Sequence, residues 1–227
     1  GQHTWVGSGH GGHLSRRSAT TKVGAMSTRS GPFRVEVVCT ANICRSPYVA
    51  ASLGAGLDAI APGAFEVLSS GTLALAGRPP DPGTSRVARE RGLVLSGMRA
   101  TQITPARLSG ADLILVMDKD HRQSVIDEFP GAARRTFLLK EFARLLQVLD
   151  AENSWTGRLH AVEGDVRARW RRVIEIAIKE RERLSADSDV LEDPFRQGDE
   201  AFEVMATEAD AAVAAIVELQ GRLFPEG

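Results

Sequence analysis

The chain has 227 residues, a net charge of −1, 43% hydrophobic residues and two cysteines. That length suits one sizeable α/β domain with an extra piece, and the balanced charge excludes whole-molecule attraction to nucleic acid or to a membrane surface. Two cysteines five positions apart make no disulfide framework, and no apolar run is long enough to span a membrane, so no membrane insertion is expected.

Residues 1–31 are rich in Gly, Ser, Thr and His, and the first acidic residue is Glu36. This stretch is expected to be a disordered basic arm ahead of a domain at 32–227. His3, His10 and His13 read as part of a solvated tail, because no Cys or carboxylate joins them to make a metal site. Met26 is an alternative start, which would make residues 1–25 incidental. Phe33–Val38 is a short apolar run after Gly31-Pro32 and fits a buried parallel strand. Ser46-Pro47 reads as N-cap and first residue of a helix reaching about Leu57, before the Ala61-Pro62-Gly63 break.

Phe65–Leu68 is a second strand, running into Ser69-Ser70-Gly71-Thr72. Arg78-Pro79-Pro80-Asp81-Pro82 is a rigid turn, and Thr84–Arg91 a helix stopped by Gly92. Thr104-Pro105 opens a short helix. Ala111–Met117 is a third, strongly hydrophobic strand, and Asp118 caps the helix carrying His121, Val125 and Ile126. Thr136–Leu139 is a fourth strand, followed by a helix from Lys140 to Leu149. A loop then leads to an amphipathic helix over 165–184, with Val166, Trp170, Val173, Ile174, Ala177 and Ile178 on one side and Arg and Glu crowding the other. A last helix covers about Asp199–Leu223. Strands alternating with helices predict a parallel sheet with helices on both faces. Ligands of such sheets bind beyond the strands' carboxyl ends, at a switch point.

One such place is the end of the first strand, Cys39-Thr40-Ala41-Asn42-Ile43-Cys44-Arg45-Ser46-Pro47. A Cys and an Arg six positions on can wrap an oxyanion: the loop presents backbone N–H groups inward and the guanidinium closes the ring with a bidentate fork. A helix N-terminus behind the loop also favours negative charge, and that field, with Arg45, favours the thiolate of Cys39. The Cys-Arg spacing alone is a weak signal. With Asn42, Cys44, Ser46 and Pro47 in a strand–loop–helix context, it resembles the loop of the low-molecular-weight protein tyrosine phosphatases, typically Cys-x-Gly-Asn-x-Cys-Arg-Ser-Pro. Ala41 stands where that family usually has Gly, and is expected to strain the loop if the position needs a positive φ.

The resemblance covers roughly 33–149 and 190–224, and leaves a loop and helix at about 150–190 as a family-atypical insertion. It implies a flavodoxin-like open α/β sheet of four parallel strands in the order 2-1-3-4. It implies a metal-independent and cofactor-free phosphomonoester hydrolase acting through a phosphocysteine, with Cys39 as nucleophile. Asp193, in Glu192-Asp193-Pro194-Phe195, matches the family's general acid in position and context, and an Asp before Pro sits in rigid extended backbone. Glu192 is its understudy. Thr40, Ala41, Asn42, Ile43, Cys44 and Arg45 form the phosphate-binding loop. By the same resemblance, Ser46 hydrogen-bonds the Cys39 sulfur, Asn42 holds an unusual backbone conformation bonded to Ser69, and Cys44 is either a partner for a protective disulfide with Cys39 or a packing residue. Leu75, Phe195 and Arg196 are the expected substrate-lining residues, with Phe195 able to stack on a phenyl ring.

The substrate implied is a phosphotyrosine protein or a small aryl or sugar phosphate, and the thiolate points to the reducing cytoplasm. Oligomeric state stays open. Two departures, Met98 for a common His and Thr101 for an Arg, keep a phosphate binder without turnover as an alternative. Arsenate reductase on the same fold is a second, although no cysteine follows Cys44 to relay oxidation. A metal or redox site at Cys39 and Cys44 lacks further ligands.

Overall fold

A computed structural model describes residues 31–224 apart from 156, 160–164, 185, 187 and 188. The expected basic arm (residue 31 excepted), the three-histidine stretch and the alternative start at Met26 lie outside the described residues. Strands β1 (Phe33–Cys39), β2 (Phe65–Gly71), β3 (Leu113–Val116) and β4 (Thr136–Leu138) form one parallel sheet in the order β2-β1-β3-β4. This is the order and direction expected, with β1 central and its carboxyl end at the reversal of strand order. The third strand is shorter than the hydrophobic run, because Ala111 caps the preceding helix and the Asp112 side chain accepts from the Arg34 N–H at 3.0 Å.

Seven α-helices are described: α1 (Arg45–Ile60), α2 (Pro82–Glu90), α3 (Pro105–Gly110), α4 (Lys119–Glu128), α5 (Leu139–Ala151), α6 (Val166–Glu180) and α7 (Asp199–Leu223). A 3-10 helix at Pro130–Arg135 had no counterpart in the sequence reading. Strands β1, β3 and β4 are buried almost throughout, which is why β1 and β3 read as apolar runs, while the edge strand β2 is half-buried. Val35, Val37 and Leu115 pack with Tyr48, Leu53, Phe142, Leu146, Trp170, Met205 and Ile216 on one side. Val38, Ile114 and Val116 pack with Leu108 and Val125 on the other. Among the described residues no helix is long and apolar enough to cross a membrane.

The capping signals act as their chemistry predicts. Asp81, Thr104, Asp118 and Asp165 each accept a backbone N–H from the first turn of α2, α3, α4 and α6. Ser46 does not. α1 starts at Arg45 with Cys44 as N-cap and no side-chain cap, and Ser46 lies inside the first turn. The amphipathic helix α6 buries Trp170, Val173, Ile174, Ile176 and Ala177 against the domain. Its Arg167 and Arg171 both grip Asp112, at 2.6 and 2.9 Å, tying the helix to the start of β3.

Candidate active site

At the carboxyl end of β1 the backbone turns through residues 40–44 into α1. The carbonyls of this loop point outward. Cys39, Thr40, Ala41 and Ile43 accept from the N–H groups of Thr72 (2.9 Å), Leu73 (3.0 Å), Leu75 (3.1 Å) and Asp81 (2.9 Å), and the Cys44 carbonyl accepts from the Thr84 hydroxyl at 3.3 Å. In a trans peptide the N–H lies opposite the C=O. The N–H groups of residues 40, 41, 42, 44 and 45 are therefore turned inward, as a ring that suits an oxyanion. Gly71, at the end of β2, has to be glycine: a Cβ there would sit 2.3 Å from the Thr40 carbonyl oxygen.

Asn42 takes the positive φ in the loop, 57°, and Ala41 does not. The expected strain at Ala41 is thus absent, because the left-handed residue is the next one, and Asn tolerates that region. Its side chain repays the conformation with three hydrogen bonds. Nδ2 donates to Ser46 Oγ (2.8 Å) and Ser69 Oγ (3.0 Å), and Oδ1 accepts from the Thr101 N–H (2.8 Å). Thr101 holds the loop through its backbone, so the loss of the family's Arg side chain there leaves this contact intact.

Cys39 Sγ lies 3.0 Å from Ser46 Oγ, and both side chains are buried. Asn42 donates to Ser46, so the one hydroxyl proton is left for the sulfur or for the Ser70 carbonyl at 3.3 Å. This buried network is why Ser46 does not cap α1. Cys44 is buried as well, and burial pushes its thiol up to about 12, with Asp81 and Asp193 adding to the effect.

Arg45 is 4% exposed, and its guanidinium reaches three partners on other elements. Nη1 donates to the Leu191 carbonyl (3.1 Å) and meets Asp118 Oδ2 (3.5 Å), and Nη2 donates to Asp193 Oδ2 (3.0 Å). The Asp193 segment is brought here by the Leu191 N–H, which donates to the Met117 carbonyl at the end of β3 (2.9 Å). Asp193 Oδ1 accepts from the Phe195 N–H (3.2 Å), an Asx turn that aims the other oxygen at Arg45. Glu192 is exposed and does not line the Cys39 cavity.

A cavity of about 230 Å³ is lined by Cys39, Thr40, Ala41, Ile43, Cys44, Arg45, Leu75, Asp193 and Phe195. The structure thus gathers the expected loop, Asp193, Leu75 and Phe195 around one space, with Ser46, Asn42 and Ser69 directly behind it. It does not bring Arg196 there. That residue, outside the lining, has φ 62° and places its guanidinium 5.1 Å from the Phe195 ring centre. The reading missed Asp118 and His121 as site neighbours. Burial alone would raise the Asp118 carboxyl, but the nearby His121 ring, the hydrogen bond from the His121 backbone N–H, and Arg45 hold it down at about 2. The available signal was the position of Asp118, just past the carboxyl end of the strand beside β1. Among the described residues no three His, Cys, Asp or Glu side chains converge as metal ligands would.

The family profile described as low molecular weight phosphotyrosine protein phosphatase matches residues 34–180. The chain belongs to that family. The probable low molecular weight protein-tyrosine-phosphatase EpsP of Ralstonia nicotianae is 36% identical over 127 residues, 56% of this chain and 81% of that protein. The protein-arginine-phosphatase of Geobacillus stearothermophilus is 34% identical over 111 residues, 49% of this chain and 72% of that protein. Vibrio vulnificus Wzb, solved in complex with benzylphosphonate, superposes with a TM-score of 0.57 at 26% identity, covering 83% of this phosphatase and 99% of the Vibrio chain. Enzymes of the family are metal-independent cysteine phosphatases, so the chain is a phosphatase by family, and arsenate reduction on the same fold is not favoured.

Proposed function

We propose that this phosphatase hydrolyses aryl phosphate monoesters, with protein phosphotyrosine as its substrate class, through a phosphocysteine on Cys39. The observation that carries the reading is one cavity in which a buried sulfur beside a serine hydroxyl, a ring of inward N–H groups, a guanidinium fork and a carboxylate all converge.

In the first step the Cys39 thiolate attacks phosphorus and an S–P bond forms. The P–O bond breaks in line, and the leaving oxygen keeps the electron pair and takes a proton from Asp193. The ring amides and Arg45 hold the equatorial oxygens as charge redistributes. In the second step water attacks phosphorus and gives its proton to the Asp193 carboxylate. The S–P bond breaks, and the thiolate returns with the Ser46 hydroxyl donating to it. The ring amides and Arg45 supply the neutralising charge that a metal supplies elsewhere.

The cavity walls favour an aryl group. Ala41, Ile43, Leu75 and Phe195 offer apolar surface, with Phe195 42% and Leu75 44% exposed at the mouth. A phosphorylated guanidinium would bring N–H groups that need acceptors, and the side-chain oxygens among the lining residues are those of Asp193 and Thr40, the latter already bonded to His121. The benzylphosphonate held by the Vibrio relative fits the same chemistry. A nucleophilic cysteine works best in a reducing compartment, which supports a cytoplasmic location. The reading is tested by comparing kcat/KM for a phosphotyrosine peptide and a phosphoarginine peptide, with chelator present throughout. Chelator-resistant turnover that favours phosphotyrosine is expected. Preference for phosphoarginine would replace the substrate class, and loss of turnover with chelator would remove the mechanism.

Two further results are expected. Asp193→Asn lowers kcat/KM by roughly 10²-fold or more for phenyl phosphate, whose leaving group needs the proton, and by clearly less for 4-nitrophenyl phosphate. Equal losses would contradict its role as acid. Iodoacetamide at neutral pH alkylates Cys39 and spares Cys44, which stays a thiol, and inorganic phosphate slows the reaction. Mass spectrometry showing Cys44 modified first would contradict that assignment.

A further inference from the structure

The first turn of α4 touches the phosphate loop at both ends. Thr40, the residue after Cys39, places its Oγ1 2.8 Å from His121 Nε2. His121 is 3% exposed, and its Nδ1 lies 3.0 Å from Asp118 Oδ2, off the line of a straight hydrogen bond. The same Asp118 oxygen meets Arg45 Nη1 at 3.5 Å, while Asp118 Oδ1 accepts the His121 backbone N–H at 2.8 Å. Residues 40 and 45, which begin and end the ring of inward amides, are thereby linked through one imidazole and one carboxylate. Neither contact is needed to cap α4, since the backbone bond to Asp118 does that alone.

We infer that His121 is a positioning residue for the oxyanion site: together with Asp118 it braces Thr40 against Arg45 and keeps the ring fitted to pentacoordinate phosphorus. The inference rests on the phosphatase reading of the loop. The imidazole therefore holds the Thr40 hydroxyl through Nε2 while its other nitrogen faces the Asp118 carboxylate at 3.0 Å. The Thr40 carbonyl is fixed from the other side by the Leu73 N–H at 3.0 Å. Residue 40 is then held at both its backbone and its side chain, and its N–H cannot swing out of the ring. Releasing one end of the ring costs most in the state whose equatorial oxygens demand the closest fit.

The test compares anions by calorimetry, which needs no turnover. Vanadate reproduces the pentacoordinate state and inorganic phosphate the ground state. Thr40→Val removes the hydroxyl at nearly constant shape. In His121→Asn the amide can still face Asp118 but does not reach Thr40. Each is expected to weaken vanadate about tenfold and phosphate by less than about threefold. The double variant should be no worse than either single, because both break one linkage. Thr40→Ser, which restores the hydroxyl, should recover vanadate affinity relative to Thr40→Val. Equal weakening of the two anions, additive losses or unchanged affinities would overturn the brace. Thermal melting checks folding, and the half-buried Thr40→Val carries the test if His121→Asn does not fold. Absence of turnover by a wild type that binds both anions would count against the phosphatase reading, and the vanadate-to-phosphate ratio would still decide the brace.

Discussion

Cys39→Ser is expected to lower kcat with an aryl phosphate by roughly 10⁴-fold or more, while inorganic phosphate binds as well as to the wild type or better. A serine hydroxyl at this position is not ionised at working pH and has no general base prepared for it: Asn42 donates to Ser46 Oγ, which leaves the Ser46 hydroxyl proton free to face the sulfur. The ring amides and Arg45 do not depend on the sulfur for their position, because their supports lie on the 72–75 and 81 segments, Asp118, Leu191 and Asp193. Removing a thiolate also removes a negative charge from the anion's site. The checks are steady-state kinetics and phosphate titration on a variant whose circular dichroism matches the wild type. Retention of substantial turnover would mean that Cys39 is not the nucleophile.

Arg45→Lys should lose about 10²–10³-fold in kcat, the scale of removing a preorganised oxyanion donor. The charge is conserved, so a simple electrostatic role predicts a mild effect. The geometry predicts otherwise. Nη1 and Nη2 reach the Leu191 carbonyl and Asp193 from one rigid plane, and an ammonium cannot serve both and still offer a parallel pair of N–H donors to phosphate. Rate constants with a good leaving group isolate this effect from proton transfer. A loss smaller than about threefold would show that charge alone suffices.

Much of the fold was legible because its signals are local. Buried parallel strands read as apolar runs, Asp118 and Thr104 announced helix starts, and Gly92 a helix end with φ 71°. The Cys39–Pro47 loop was legible because all its members lie within nine residues of sequence. Asp193 was reached through its motif; its contact with Arg45, 148 positions away, is created by the Leu191–Met117 hydrogen bond and has no local signature. Ser46 misled for a related reason. Ser-Pro before an apolar stretch is a capping signal, but a serine beside a buried sulfur and Asn42 has better partners than a helix end. Ala41 misled by one position, since the chain assigns the left-handed conformation to Asn42, whose side chain can compensate it. Asp118 and His121 read as ordinary members of a helix start, and only the neighbouring strand order turned them toward the loop.

The central claim is a covalent phosphocysteine on Cys39. It is tested most directly by acid-quenching the enzyme within its first turnovers of an aryl phosphate and locating the phosphoryl group by tandem mass spectrometry. The account predicts a phosphoryl group on Cys39, longer-lived in Asp193→Asn because the base for hydrolysis is gone. An enzyme that turns over rapidly with no phosphoryl group on Cys39 at any quench time, or with the group on Cys44, would contradict it.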